Sequence, residues 1–200
     1  MRVLGLDLGG AAFGYAILDD GALVRAGRVD IGWRDVPGAR GPRRAHYDGL
    51  AIRDMRIELA ELLDEGVEVV AYEKVRRHLG ADAAHVYGRM EGAVLEVLDV
   101  RTRQQLAGLS RLRLVGVGVQ QGKRALCGEG GNDASKSDMA AAAALRWPGV
   151  HVNWLAGKAE PADAAGIALA VTHPVESRTA REKRAAAGRR AAKLAAKGAA

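Results

Sequence analysis

Apolar residues dominate from Val3 to Leu18, and Asp7 is the single charge in that run, followed at once by the Gly9–Gly10 pair. The pattern predicts a strand over residues 1–8 and a hairpin partner over Phe13–Leu18. Asp19-Asp20-Gly21 is a second turn signal, and Ala22–Ile31 reads as a third strand, giving an antiparallel meander. A buried strand tolerates a charge only where something compensates it. Asp7 therefore needs a partner that the strand itself does not supply.

Beyond the meander, residues 36–44 (VPGARGPRR) form a loop rich in Pro, Gly and Arg. Leu50, Ile52, Met55, Ile57, Leu59, Leu62 and Leu63 then recur at helical spacing across residues 45–65, and Gly66 closes that helix. VEVVAYEKV (67–75) is the clearest β-branched run in the chain, and residues 82–100 return to helical spacing through Ala83, Val86, Met90, Val94, Leu95 and Leu98. RLRLVGVGV (111–119) reads as a strand and CGEGGND (127–133) as a loop. Asp133 or Ser135 can cap the alanine-rich helix that runs to Leu145. Pro161 suits the first turn of a last helix ending near Thr172, before Pro174. Strands first, then alternating helix and strand, give an α/β fold: a mixed sheet of about five strands flanked by helices.

Composition changes this picture mainly at the C-terminus. The net charge is +6, and from Glu176 onward Arg178, Arg181, Lys183, Arg184, Arg189, Arg190, Lys193 and Lys197 face only Glu176 and Glu182. The surplus thus sits in an Ala/Lys/Arg-rich tail over 176–200 with no apolar face, expected to be disordered or an isolated helix without partners. Such an arm is drawn to polyanions, nucleic acid first among them, or serves solubility alone. Cys127 is the sole cysteine, so no internal disulfide forms, which fits a reducing cytoplasm. No apolar stretch is long enough to span a bilayer, and the N-terminus lacks a signal-peptide layout.

Three acidic positions break local rules. Asp7 lies near the end of the first strand, Glu73 near the end of VEVVAYE, and Asp163 in the helix start EPADAAGIALA, with Glu160 three residues before it. Taken singly, each could be a capping or hydrogen-bonded carboxylate. Brought together, like charges repel unless cations lie between them. Oxygen-rich sites suit hard cations such as Mg²⁺, Mn²⁺ or Ca²⁺. Two such ions about 4 Å apart are a recurrent device for phosphodiester hydrolysis. An acidic metal site and a basic arm point to the same substrate, nucleic acid.

Four stretches in order resemble RuvC-type Holliday junction resolvases, of the RNase H-like nuclease superfamily, over about residues 1–174. They are GLDLGG with FGYAIL, VVAYEKV with ADAAHVYGRMEGAVLEVL, LVGVG with SKSDM, and EPADAAGIALAVTHP. The resemblance implies a nuclease domain over 1–175 that acts as a homodimer on four-way and other branched DNA in recombination, repair or phage DNA processing. It implies two Mg²⁺ per active site, with Mn²⁺ able to substitute. Asp7, Glu73, Glu160 and Asp163 fall on the family's metal-binding positions. Lys136 falls near a basic residue used against the DNA backbone, and Lys123 is a weaker candidate of that kind. Arg76, Arg77 and the tail cations are further DNA-binding candidates. The helix over 82–100 matches one that helps form the dimer interface, while its apolar stripe by itself suits intramolecular core equally well. Glu160 stands where many members carry Asp or His, and Arg76 where bacterial members often place an aromatic. The pattern is closer to phage-encoded relatives, which places the protein in the cytoplasm of a bacterium or of a phage host.

Two other readings compete. A sugar kinase or actin-like ATPase shares a D-x-G-G-type first strand, but needs a duplicated lobe and a second glycine-rich phosphate loop that this sequence lacks. A non-catalytic branched-DNA-binding protein of the same fold would not need all four acids. GVQQGKR and GGNDASKS do not fit a P-loop, and the histidines show no zinc spacing.

Overall fold

The computed structural model describes residues 1–9, 12–30, 49–74, 88, 91–101, 112–128, 131–155 and 160–174. Its strands are β1 (Arg2–Leu8), β2 (Ala12–Asp19), β3 (Ala22–Asp30), β4 (Val69–Glu73) and β5 (Arg113–Val117). Its helices are α1 (Gly49–Leu63), α2 (91–101), α3 (Val119–Cys127), α4 (Lys136–Arg146) and α5 (Pro161–Thr172). The strands form one sheet in the order β3-β2-β1-β4-β5. The β1–β2 and β2–β3 pairs are antiparallel, while β4 pairs parallel to both β1 and β5. The expected mixed five-stranded sheet, a meander followed by parallel strands, is the one observed.

Side-chain alternation along each strand sorts the core into two layers. Leu4, Leu6 and Leu8 of β1 face the same side as Val70 of β4, and pack against Met55, Leu59, Leu62 and Leu63 of α1 and Ala93, Val94, Val97 and Leu98 of α2. Val3, Val69 and Ala71 face the other side, against α3, α4 and α5. Residue parity then carries Asp7 to the side of Val3, and Glu73 to the side of Val69 and Ala71. Both acids are thereby committed to the α3–α5 layer.

The helix α3 departs from the sequence reading, which gives no helix between the strand at 111–119 and the loop at 127–133. The helix is short, and only Gly122 and Leu126 are buried among its nine residues, so few large apolar residues mark its inner side. Ser135, not Asp133, caps α4: its side chain accepts from the Asp138 N–H, and the Asp138 carboxylate accepts from the Ser135 N–H at 2.8 Å. Pro161 opens α5 as expected, and His173 closes it by donating its N–H to the Leu169 carbonyl at 2.7 Å. Among the described residues no helix is long and apolar enough to cross a membrane. The tail over 176–200, with Arg178, Arg181, Lys183, Arg184, Arg189 and Arg190, lies outside the described residues, as do Arg76 and Arg77.

Candidate active site

Helix α5 lies across the sheet in unusually close contact, and glycines in the strands permit it. A Cβ at Gly5 would meet the Ala164 carbonyl oxygen at 2.1 Å, and one at Gly14 would meet the Glu160 backbone at 2.6 Å. Gly14 is the register partner of Asp7. The start of α5 can therefore settle directly on the β1–β2 ladder beside the Asp7 carboxylate. On the other flank, Gly122 of α3 and Gly166 of α5 cross closely, with a Cβ at Gly166 only 2.8 Å from the Gly122 oxygen. Sequence reasoning passes over Gly5, Gly14, Gly122 and Gly166. Glycine inside a strand was the available signal for close backbone approach.

This packing leaves a half-open cavity of about 260 Å³ whose charged lining is Asp7, Glu73, Asp163, Lys123 and Lys136. Val119, Met139 and Ile167 supply apolar wall. Asp7 is 8% exposed, and its Oδ2 accepts the Glu160 backbone N–H at 2.8 Å. Burial pushes the Asp7 carboxyl up to about 7, and the charges of Asp163 and Glu73 add to that, against the Glu160 N–H and Lys136, which favour the ionised form. Asp163 is also raised, chiefly by burial.

Glu160 is 3% exposed, with Oε1 held 3.0 Å from the Lys136 ammonium. Its Oε2 is buried with no hydrogen-bond partner among the described residues. Lys136 also stands 4.0 Å from Asp163 Oδ2. Burial alone would lower the Lys136 pKa, but the Glu160 hydrogen bond and the surrounding acids raise it. Lys123 donates to the Ala134 carbonyl at 2.5 Å, which anchors α3 to the segment before α4. Both lysines thus point their charge inward, toward the cavity and its rim.

Of the four acids singled out in the sequence, three line one cavity and the fourth, Glu160, is tied to it through Asp7 and Lys136. Oxygen donors of this kind suit a hard divalent cation, and the unpartnered Glu160 Oε2 is the kind of atom such an ion satisfies. As the side chains stand, no three His, Cys, Asp or Glu among the described residues are close enough to share one ion. The compensating charge in this arrangement is the Lys136 ammonium.

No family model matches the chain. A crossover junction endodeoxyribonuclease RuvC from Halorhodospira halophila is 36% identical over 134 residues, covering 58% of this chain and 72% of the relative. The fold is similar to that of RuvC from Thermus thermophilus, with a TM-score of 0.58 at 22% identity over 86% of this chain and 93% of that one. It is also similar to T. thermophilus RuvC in complex with a Holliday junction substrate, with a TM-score of 0.60 at 20% identity over 86% and 92% of the two chains.

Proposed function

This chain belongs to the RuvC family of crossover junction endodeoxyribonucleases, and on that premise we propose that it hydrolyses phosphodiesters in Holliday junctions and other branched DNA. In this reading Asp7, Glu73, Glu160 and Asp163 hold divalent metal, Mg²⁺ with Mn²⁺ able to substitute. The observation that carries it is the burial of Asp7 and Glu160 where β1 meets α5, with the Glu160 backbone N–H on Asp7 Oδ2 at 2.8 Å, beside a cavity of about 260 Å³ lined by Asp7, Glu73 and Asp163. Burying acids in this way costs folding free energy, and such sites are where perturbed pKa values mark function.

Bound divalent metal supplies charge neutralisation at the scissile phosphate and lowers the pKa of an attacking water. The chain's own residues do the rest. The Glu160 N–H fixes the orientation of Asp7 through Oδ2, which leaves Oδ1 of this carboxylate to serve as a donor. Gly14 and Gly5 keep the backbone of α5 down on the sheet, which sets the reach of Glu160 and Asp163. Val119, Met139 and Ile167 restrict solvent on one side of the cavity. Lys123 and Lys136 give positive potential at its rim for phosphate. Arg76, Arg77 and the tail cations extend that attraction along the DNA.

Resolution of a four-way junction needs two incisions, and we assign this chain to a homodimer. Ile57 of α1 and Leu95 and Val100 of α2 are each nearly half exposed, which supports the helical layer remote from the site as the dimer face. The reading is tested by incubating labelled four-way, three-way, flap and linear duplex DNA with Mg²⁺ or Mn²⁺. Paired nicks in the four-way substrate are expected. Absence of metal-dependent cutting on every branched substrate would overturn it.

A further inference from the structure

Lys136 is an odd residue for its position. It is the first residue of α4, where the helix dipole disfavours a positive charge, and the Ser135–Asp138 box already caps that end. Its ammonium nevertheless turns to Glu160 and Asp163, at 3.0 and 4.0 Å. The two ends of this contact differ in access: Glu160 is 3% exposed and Lys136 56% exposed. A fixed acid is thus compensated by a cation on a long flexible stem that can leave for solvent. The compensation is also incomplete, since Glu160 Oε2 has no partner among the described residues.

We propose that Lys136 is an exchangeable counter-cation: it neutralises Glu160 and Asp163 while the site holds no metal, and yields them when a divalent cation binds. The inference rests on the assignment of these acids as the metal site. It goes beyond DNA contact as the role of Lys136, because it makes metal binding a cation exchange whose cost is set by this lysine.

The test uses the full-length, DNA-free protein titrated with Mn²⁺ alone, by calorimetry or by the loss of the free-ion paramagnetic resonance signal. Lys136→Met removes the charge and keeps the stem, and should bind Mn²⁺ about tenfold more tightly than the wild type, since a competing unit charge some 4 Å away has gone. Lys136→Arg, which keeps the charge, should show no such gain. The gain should shrink at high ionic strength, because the lysine end of the pair is exposed. Unchanged or weaker Mn²⁺ binding by Lys136→Met, alongside loss of binding in Asp163→Asn, would overturn the exchange and leave the metal site standing. Wild-type binding by Asp163→Asn would remove the metal site and the proposal with it.

Discussion

The Glu160 backbone N–H donates to Asp7 Oδ2 at 2.8 Å, joining residues 153 positions apart at the point where β1 meets α5. This one bond unites the first and last acidic motifs of the chain. It exists because Gly14, opposite Asp7, leaves room for the Glu160 backbone.

Gly14→Ala should break that relationship. The added methyl would lie 2.6 Å from the Glu160 carbonyl group, so α5 must lift from the sheet. Overpacking of this kind costs about 1–3 kcal/mol, or a fall of several degrees in Tm for a domain of this size. Junction cleavage well below the new Tm should fall by more than the unfolded fraction accounts for. Calorimetry and a cleavage assay at 25 °C check both, and an unaltered Tm would show that the contact has slack.

Asp7 should leave a mark on the pH dependence of stability. Its folded-state pKa is raised from 3.8 to about 7. An acid so shifted binds its proton more tightly in the folded state, so its stabilising contribution is full below about pH 4 and is lost as pH rises through about 7. Metal-free protein in chelator should therefore lose stability over this window through Asp7, and Asp7→Asn should remove that part of the slope. Denaturant titrations from pH 4 to 8 on both proteins measure it. Equal slopes would place the Asp7 carboxyl in a more solvated setting.

Ser135→Ala should destabilise the fold by about 1 kcal/mol, the usual worth of an N-cap hydroxyl. The Ser135–Asp138 box sets the start of α4, on which Lys136 is carried. Urea unfolding of the variant measures the loss. A change within error would mean that α4 is held by Met139, Ala140 and Ala143 in the core alone.

Removal of residues 176–200 should weaken binding to branched DNA and flatten its dependence on salt. Eight basic residues leave with that segment. Each phosphate contact contributes roughly one unit to the slope of log K against log salt. Binding titrations across a range of KCl concentrations compare the two forms. An identical slope would confine the tail to solubility.

Much of this arrangement was legible in the chain. The alternation in β1 and β4 fixes the parity of Asp7 and Glu73, and so the face they share. The Pro161 helix start positions Glu160 and Asp163 together, and four motifs in order pointed to the family. What escaped the sequence reading follows from close packing. The helix α3 hides its role because it meets α5 through Gly122, a residue that adds nothing to a hydrophobic pattern. The partner of Glu160 is Lys136, 24 residues earlier, and no local periodicity links them. Gly14 looks like one more small residue in FGYAIL until Glu160 is seen lying on it.

The most direct test of the central claim is a cleavage assay on a four-way junction in Mg²⁺, comparing wild type with Asp7→Asn and Asp163→Asn, with junction binding measured in parallel. The wild type should cut, and each variant should bind the junction nearly as well while cutting at least about a thousandfold more slowly, the scale of losing a transition-state interaction of about 4 kcal/mol. Undiminished cutting by either variant would contradict the assignment of these acids as the metal site.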